Sequence, residues 1–283
     1  MSSHLHAPTG DGRPPHAHWR VADLDWDCID RAAIEHDEDL FYLLMSASFV
    51  ETGSDTYAAN LAEHYAGHPE IRAWLQERWE AEELQHGTAL RRYVETVWPA
   101  FPWQAAYDSF FAEYARLCTV EELYADCRLE MVARCVVETG TTAYYQTLLG
   151  LSREPVLREL LGHIRNDEVG HYKHFLKYFR QLQAQAPVGR VQVAGALYSR
   201  LKELRESDSD VALCHVWAHR GGLFAEGAGS FAEVAQRAYQ LVSTRLPADQ
   251  SIRMLLKPLQ LPPRMERLVQ APLARLACRV LAP

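Results

Sequence analysis

Two segments of the chain repeat a glutamate followed three positions later by a histidine. They are Glu83-Leu-Gln-His86 and Glu168-Val-Gly-His171. In an α-helix, positions i and i+3 lie about 60° apart on one face and one turn along the axis. A carboxylate and an imidazole at this spacing can bind one metal ion from a single helix. Each segment therefore predicts part of a metal site.

Two further glutamates lie in apolar surroundings. Glu51 is in Ser-Ala-Ser-Phe-Val-Glu-Thr-Gly-Ser, and Glu138 is in Ala-Arg-Cys-Val-Val-Glu-Thr-Gly-Thr-Thr. Glu51 precedes Glu83 by 32 residues, and Glu138 precedes Glu168 by 30. On long antiparallel helices these separations place all the side chains at about the same height in one core. The predicted metal ligands are Glu51, Glu83, His86, Glu138, Glu168 and His171.

Four carboxylates in an apolar core need a counter-charge. Without one they are costly to bury or stay protonated, and two divalent cations cancel their charge. Carboxylates combined with imidazoles suit iron, and also manganese, with positions left open for dioxygen. Glu80 and Glu82 remain alternatives to Glu83, although neither has a histidine three positions on, and Glu130 remains an alternative to Glu138.

The elements that must position these residues are helices, because apolar residues recur at helical spacing and strand signals are few. The ligand helices are predicted over 38–65, 69–97, 119–149 and 152–185, the third opened by a capping box at Thr119–Glu122. Shorter helices are predicted over 105–116, 190–206, 211–219 and 230–246, before a final segment broken by prolines.

The expected fold is all-α, with an antiparallel four-helix bundle and additional C-terminal helices. The longer connection of the bundle joins its second and third long helices. We assign residues 1–30 to an N-terminal tail, 31–187 to the bundle and 188–283 to a C-terminal helical extension.

The composition limits the class of protein. The chain has 283 residues, 48% of them hydrophobic, which is enough for a sizeable core, and a formal net charge of −8. That charge argues against a general nucleic-acid-binding protein. From Arg253 onward, six basic residues stand against one acid, a charge of +5, so the remainder carries −13. We expect acidic partners at this basic segment.

Few features of the sequence indicate where in the cell the protein is located. The first residues lack the apolar core of a secretory signal, and no stretch approaches the length of a membrane span. Six scattered cysteines without a Cys-x-x-Cys pair indicate reduced thiols and a cytoplasmic protein. The N-terminal histidines form either a frayed tail or a separate metal-binding segment; they are His4, His6, His16 and His18.

The motifs resemble those of soluble acyl-carrier-protein desaturases over roughly residues 40–180. Residues 78–91, Arg-Trp-Glu-Ala-Glu-Glu-Leu-Gln-His-Gly-Thr-Ala-Leu-Arg, are similar to the second ligand helix of that family, which shows W-x-A-E-E-x-x-H-G. Asp167-Glu168-x-x-His171 resembles its D-E-x-x-H helix, and Glu138-Thr-Gly-Thr141 its third ligand helix. The chain differs at Leu84-Gln85 and Val169-Gly170, where that family has polar or basic residues, and is somewhat shorter.

The resemblance implies a ferritin-like bundle with a di-iron site that activates dioxygen. It implies an external electron donor such as ferredoxin, and it suggests an acyl carrier protein as partner. We expect a homodimer. The resemblance also suggests a tryptophan beyond Asp167 as an electron path, and Trp26 is the candidate.

Further residues are assigned to the surroundings of the predicted site. Asp167 is expected to orient the free ring N–H of His86. Thr141 or Thr142 is expected to donate to bound dioxygen or relay protons, the alternative being a bond to its own helix. A substrate channel or ordinary core is expected at Leu44, Leu90, Met131 and Tyr145. A basic helix end is formed by Lys173, Lys177 and Arg180. It is expected to be either a solvated helix end or a docking face for an acidic carrier protein or ferredoxin.

The leading hypothesis is an O2-dependent di-iron oxidase, a desaturase or hydroxylase, that acts on a C–H bond of an acyl chain. A tailoring hydroxylase or N-oxygenase of a small metabolite is the alternative. An N-oxygenase would need His163 as a seventh ligand, which lies about 140° from Glu168 on a regular helix and would require a π-bulge. A non-enzymatic metal-binding scaffold is a further alternative. Two other classes are disfavoured. A radical-forming reductase subunit has a tyrosine where this chain has Leu90, and a storage ferritin would not need the C-terminal extension.

Overall fold

The described part of the chain contains helices and no strands. The computed structural model describes residues 18–117, 119, 122–204, 208–224 and 229–281, without the side chains of 208, 209 and 278–281. Within them, no helix is long and apolar enough to cross a membrane. The helices are α1 (Glu38–Thr52), α2 (Ser54–His64), α3 (Pro69–Trp74), α4 (Glu80–Val97), α5 (Trp103–Tyr114), α6 (Cys127–Leu151), α7 (Pro155–Gln185), α8 (Arg190–Glu203), α9 (Asp208–His219), α10 (Phe231–Ser243), α11 (Ala248–Leu256) and α12 (Pro263–Leu281).

Two of the predicted ligand helices contain local irregularities close to the ligands. The first is interrupted at Gly53, which caps the end of α1 two residues after Glu51. The second continues from α3 to α4 through a π-helical turn at Leu75–Trp79, four residues before Glu83. Such turns often occur at functional sites, because the extra residue rotates the following face of the helix.

The third ligand helix begins later than predicted. Helix α6 starts at Cys127, where the Asp126 carboxylate accepts the Arg128 backbone N–H at 2.9 Å. The predicted box at Thr119–Glu122 includes Val120 and Glu121, which lie outside the described residues, and its prediction as the start of this helix was wrong. An aspartate caps a helix as well as a threonine does, and local sequence does not distinguish the two.

The ligand-bearing helices form two antiparallel pairs, α1 with α4 and α6 with α7. At the start of α1, Phe41 packs edge-on against Trp98, which ends α4. In the other pair, Arg128 at the start of α6 donates to the Ala186 carbonyl after α7. The two pairs meet where α4 packs against α7.

The predicted ligands separate two apolar clusters along these helices. One cluster includes Phe49, Leu90, Tyr145 and Ile164. The other includes Ala58, Trp79, Val136 and Phe175. Each ligand therefore occupies a layer between two hydrophobic cores. Those cores hold the polar layer away from water and position it.

The C-terminal helices cover the outside of these pairs. Helix α8 packs on α6, α9 packs on α1 and α5, α11 packs on α6, and α12 packs on α11. Prolines interrupt the chain between α11 and α12 as predicted, but α12 continues through Pro272. That ring is exposed, so the Leu268 carbonyl that it leaves without a helical partner can be hydrated.

Candidate metal centre

The structure brings all six predicted ligands together, each buried. Their ligand atoms form two groups that each lie within 4.8 Å of one another and could each hold one ion. One group comprises Glu51, Glu83, His86 and Glu168, and the other comprises Glu83, Glu138, Glu168 and His171. Glu83 and Glu168 belong to both groups. An ion held by each group would therefore share these two carboxylates with the other.

Both histidines present the same ring nitrogen to the cluster. His86 Nδ1 lies 3.3 Å from Glu168 Oε1 and 3.7 Å from Glu51 Oε2. His171 Nδ1 lies 3.0 Å from Glu83 Oε1 and 3.6 Å from Glu138 Oε2. The opposite nitrogen of each ring points away, toward another carboxylate. This polarity leaves Nδ1 to bind a cation while Nε2–H donates outward.

Several atoms that face the cluster lack hydrogen bonds. Among the described residues, no partner with hydrogen-bond geometry meets His86 Nδ1, His171 Nδ1, Glu138 Oε2 or Glu168 Oε1, all of which are buried. Buried polar atoms are almost always paired, since leaving one unpaired costs about 1–3 kcal/mol. Four such atoms converging on one space could together hold a cation. The donor set, carboxylate oxygen with imidazole nitrogen, fits iron or manganese.

Burial shapes the charge of the carboxylates. It raises the pKa of Glu83 well above the usual value, and two neighbouring carboxylates raise it further. It raises the pKa of Glu138 to about 8. Protons are therefore held at ligand positions near neutral pH.

Glu168 behaves oppositely because both histidines surround it. Burial alone would raise its pKa, but the nearby charges of His171 and His86 lower it. Burial likewise opposes the charged form of each imidazole, yet the surrounding carboxylates raise the pKa of both rings. Glu168 is thus the anion around which the cluster is organised.

Metal affinity is expected to rise steeply with pH. A cation must displace protons from His86, His171 and Glu138, whose pKa values are raised. Each displaced proton strengthens apparent binding about tenfold per pH unit. Between pH 6 and 8, the apparent affinity for Mn2+ should increase by at least about a hundredfold per pH unit. Titration calorimetry measures this affinity and the protons that binding releases to the buffer. An affinity independent of pH would contradict the assignment.

The carboxylates behind the histidines form a matched pair. Asp167 Oδ2 lies 3.1 Å from His86 Nε2, as predicted, and Glu82 Oε2 lies 2.9 Å from His171 Nε2. Sequence reasoning considered Glu82 only as a rival ligand and missed this role. The available signal was that an acid precedes the ligand glutamate in both motifs. Arg78 Nε in turn donates to Glu82 Oε1 at 3.1 Å.

The tryptophan beyond Asp167 is Trp19, so the prediction of Trp26 was wrong. Trp19 Nε1 donates to Asp167 Oδ2 at 2.7 Å, and its ring stacks at 6.3 Å on His86. Trp26 donates instead to the Val21 carbonyl and lies beneath the Arg92 guanidinium. Both tryptophans occupy a segment of short turns, to which helical periodicity does not apply.

Removing the negative charge of Asp167 or of Glu82 should weaken metal binding without unfolding the protein. Asp167→Asn and Glu82→Gln keep a hydrogen-bond acceptor but lose the charge that orients each imidazole. Loss of such an outer partner typically costs about 10–100-fold in metal affinity. Competition with a chromogenic chelator measures the loss, and Glu159→Gln, on the exposed side of α7, is the control. Wild-type affinity in both variants would show that the charges do not support the ligands.

The two threonines take different positions. Thr141 Oγ1 donates to Glu168 Oε2 at 2.6 Å and also lies 3.3 Å from the Glu138 carbonyl of its own helix. Thr142 is buried, and its hydroxyl has no partner among the described residues. Thr141 thus contacts a shared ligand, while Thr142 retains a free buried hydroxyl.

Tyr145 has a role that sequence reasoning missed. It was predicted as channel or core, and it does lie in one apolar cluster, but its hydroxyl donates to Glu51 Oε1. This bond leaves Glu51 Oε2 directed at His86 and the cluster. The other three candidate channel residues are buried in the apolar clusters: Leu44, Leu90 and Met131.

Other candidates lie away from the cluster. Glu130 is paired with Arg134, Nε to Oε1 at 2.9 Å. His163 stacks on Trp19 at 5.0 Å, on a helix without a π-turn in its described course. The predicted basic helix end, Lys173, Lys177 and Arg180, is exposed, and Lys177 pairs with Glu70.

Comparison of the sequence with protein-family models and with curated proteins finds no match. The candidate metal centre is therefore defined by the positions and chemistry of the residues themselves.

Proposed function

We propose that this protein is an O2-dependent non-haem di-iron oxidase on a ferritin-like bundle. The observation that carries the proposal is the pair of ligand groups that share Glu83 and Glu168. Two antiparallel helix pairs that each supply a single glutamate and a Glu-x-x-His support the ferritin-like assignment. Two bound iron ions would supply the activation of dioxygen.

The residues of this chain would position that chemistry. Glu51 would hold one ion, and Glu138 the other, with both shared carboxylates between them. Tyr145 would keep one oxygen of Glu51 turned away from the ions. Thr141 would restrain Glu168, and the unpaired hydroxyl of Thr142 could hold a proton.

The reaction needs electrons from outside the protein. In desaturation, the substrate gives up two hydrogen atoms and a donor such as ferredoxin supplies two electrons. Together with two further protons, these reduce O2 to two water molecules. Hydroxylation would place one oxygen atom in the product. Trp19, Asp167 and His86 form a hydrogen-bonded and stacked route that would carry the electrons.

We propose an acyl chain as the substrate, either free or bound to a carrier protein. The resemblance of the motifs to those of acyl-carrier-protein desaturases supports this choice. The N-oxygenase alternative needs a seventh histidine ligand, and His163 stacks on Trp19 instead. A homodimer remains a prediction.

The test combines metal analysis with product analysis. The protein is loaded anaerobically with Fe2+, the iron per chain is counted, and the optical spectrum is followed after O2 is added. Fatty acyl substrates, free and carrier-bound, are then incubated with ferredoxin and its reductase, and products are identified by mass spectrometry. Failure to bind iron with all six ligands intact would overturn the proposal. Binding of two ions without oxidation of any acyl or small-metabolite substrate would favour a non-enzymatic scaffold.

A matched variant links the products to the cluster. Glu138→Ala removes a ligand of one ion only, so it should lower the iron content and abolish product formation. Glu159→Gln is exposed on α7 and should behave as the wild type.

A further inference from the structure

The terminal helix α12 turns a side of mixed polarity toward the protein. Its contacts with the body include two hydrogen bonds: Lys257 Nζ donates to Glu266 Oε1 at 2.6 Å, and Gln270 Nε2 donates to Asp249 Oδ1 at 3.1 Å. Among its described side chains, only that of Ala274 is buried, and those of Val269 and Ala277 are half-buried. A helix of a water-soluble domain normally turns its apolar stripe inward.

Large apolar side chains of α12 point into solvent instead. Leu268 is 75% exposed, Leu276 54% and Met265 52%. At 100° per residue these three positions fall within an arc of about 80°. They form a continuous apolar stripe along the outer side of the helix, which we call the α12 stripe.

Basic residues border the α12 stripe. Arg264 and Arg275 are exposed and lie about 20–40° beyond Leu268 on the helical wheel. Among the described residues, no carboxylate lies within ion-pair distance of either guanidinium, and Arg275 Nε donates only to the Ala271 carbonyl of its own helix. These charges are therefore available to an anionic partner.

A second exposed apolar stripe begins close to the start of α12. On α8, Val191 is 86% exposed and Tyr198 73%. The start of α8 is tied to the turn before α12, because Arg190 donates to the carbonyls of Leu259 and Gln260. Exposed large apolar residues are thus concentrated in the C-terminal helices.

We infer that α12 is an interfacial helix that docks the protein on an anionic phospholipid bilayer. An apolar stripe bordered by arginines is the pattern of helices that lie in the plane of a membrane surface. A second copy of the chain fits less well, because pairing two α12 stripes would bring their arginines together. The rest of the sequence carries −13 against +5 for the last segment. An anionic surface would repel the body and attract this end, which orients the protein. The inference does not depend on the metal centre.

The test is co-sedimentation of the full-length protein with phospholipid vesicles. The protein should bind vesicles containing about 25% phosphatidylglycerol and not pure phosphatidylcholine. Binding should weaken in about 0.5 M salt, which screens surface charge. Leu268→Ser should weaken binding about tenfold. Arg264→Gln with Arg275→Gln should weaken it about 25-fold, or about fivefold for each charge.

Two controls remove similar side chains elsewhere. Leu117→Ser and Arg116→Gln alter exposed residues after α5 and should bind like the wild type. Circular dichroism confirms folding, and measurements with chelator and with Fe2+ separate docking from metal binding. Wild-type binding by both α12 variants would overturn the inference. A wild-type protein that does not bind vesicles would also overturn the inference. The α12 stripe would then mediate self-association, which light scattering detects, or bind a purified acidic carrier protein.

Discussion

Replacing Glu168 with glutamine is expected to eliminate binding of two metal ions. Glu168 is the residue on which both histidines converge, and its carboxylate belongs to both ligand groups. Glutamine has the same shape but no charge to balance the cations. We expect apparent affinity to fall by more than a hundredfold, beyond the roughly 10–100-fold that loss of an outer partner costs.

The measurement has two parts. Elemental analysis counts ions per chain after Mn2+ or Fe2+ loading. Thermal denaturation with and without metal measures the stabilisation that binding confers, about 4 kcal/mol at a thousandfold excess over Kd. Glu168→Gln should lose this shift, whereas Glu159→Gln, on the same helix but exposed, should keep it. A variant that retains two ions would refute the shared role of Glu168.

Replacing Gly87 with alanine is expected to disturb the site without touching a ligand. A Cβ atom at Gly87 would lie 2.7 Å from the Thr52 nitrogen and 2.9 Å from the Glu51 carbonyl carbon. Both are backbone atoms of α1, so the clash is relieved only if α1 and α4 move apart. Overpacking of this kind costs about 1–3 kcal/mol. It should also displace Glu51 from the cluster and lower the metal content.

The second ligand motif contains a matched control. Gly170 lies inside Glu168-Val-Gly-His171, and a Cβ there would meet nothing within 4 Å. Gly170→Ala should therefore stabilise the protein by about 0.5–1 kcal/mol, because alanine favours the helix. Urea denaturation of both variants, with metal analysis, makes the comparison. Equal stability of the two variants would show that α1 and α4 can separate without cost.

The sequence by itself determined the six residues of the candidate metal centre. The Glu-x-x-His spacing is local, since three residues make nearly one helical turn, and it selects Glu83 with His86 and Glu168 with His171. Glu51 and Glu138 were identified because an acid within an apolar run must meet a compensating charge. The all-α class followed from the same periodicity.

Only the tertiary structure decided the partners of those ligands. Glu82 meets His171, Trp19 meets Asp167 and Tyr145 meets Glu51 across separate segments. Such contacts depend on how helices rotate and slide against one another. Here that packing is governed by the close approach at Gly87 and by the two apolar clusters.

The same distinction holds for the terminal helix. Its basic charge and its apolar residues could be counted from the sequence, and periodicity places Leu268, Met265 and Leu276 on one face. An amphipathic pattern normally predicts that such a face is buried. Its exposure follows from the side that α12 turns to the body, which carries Glu266, Gln270 and the buried Ala274, because a helix can turn only one side toward the protein.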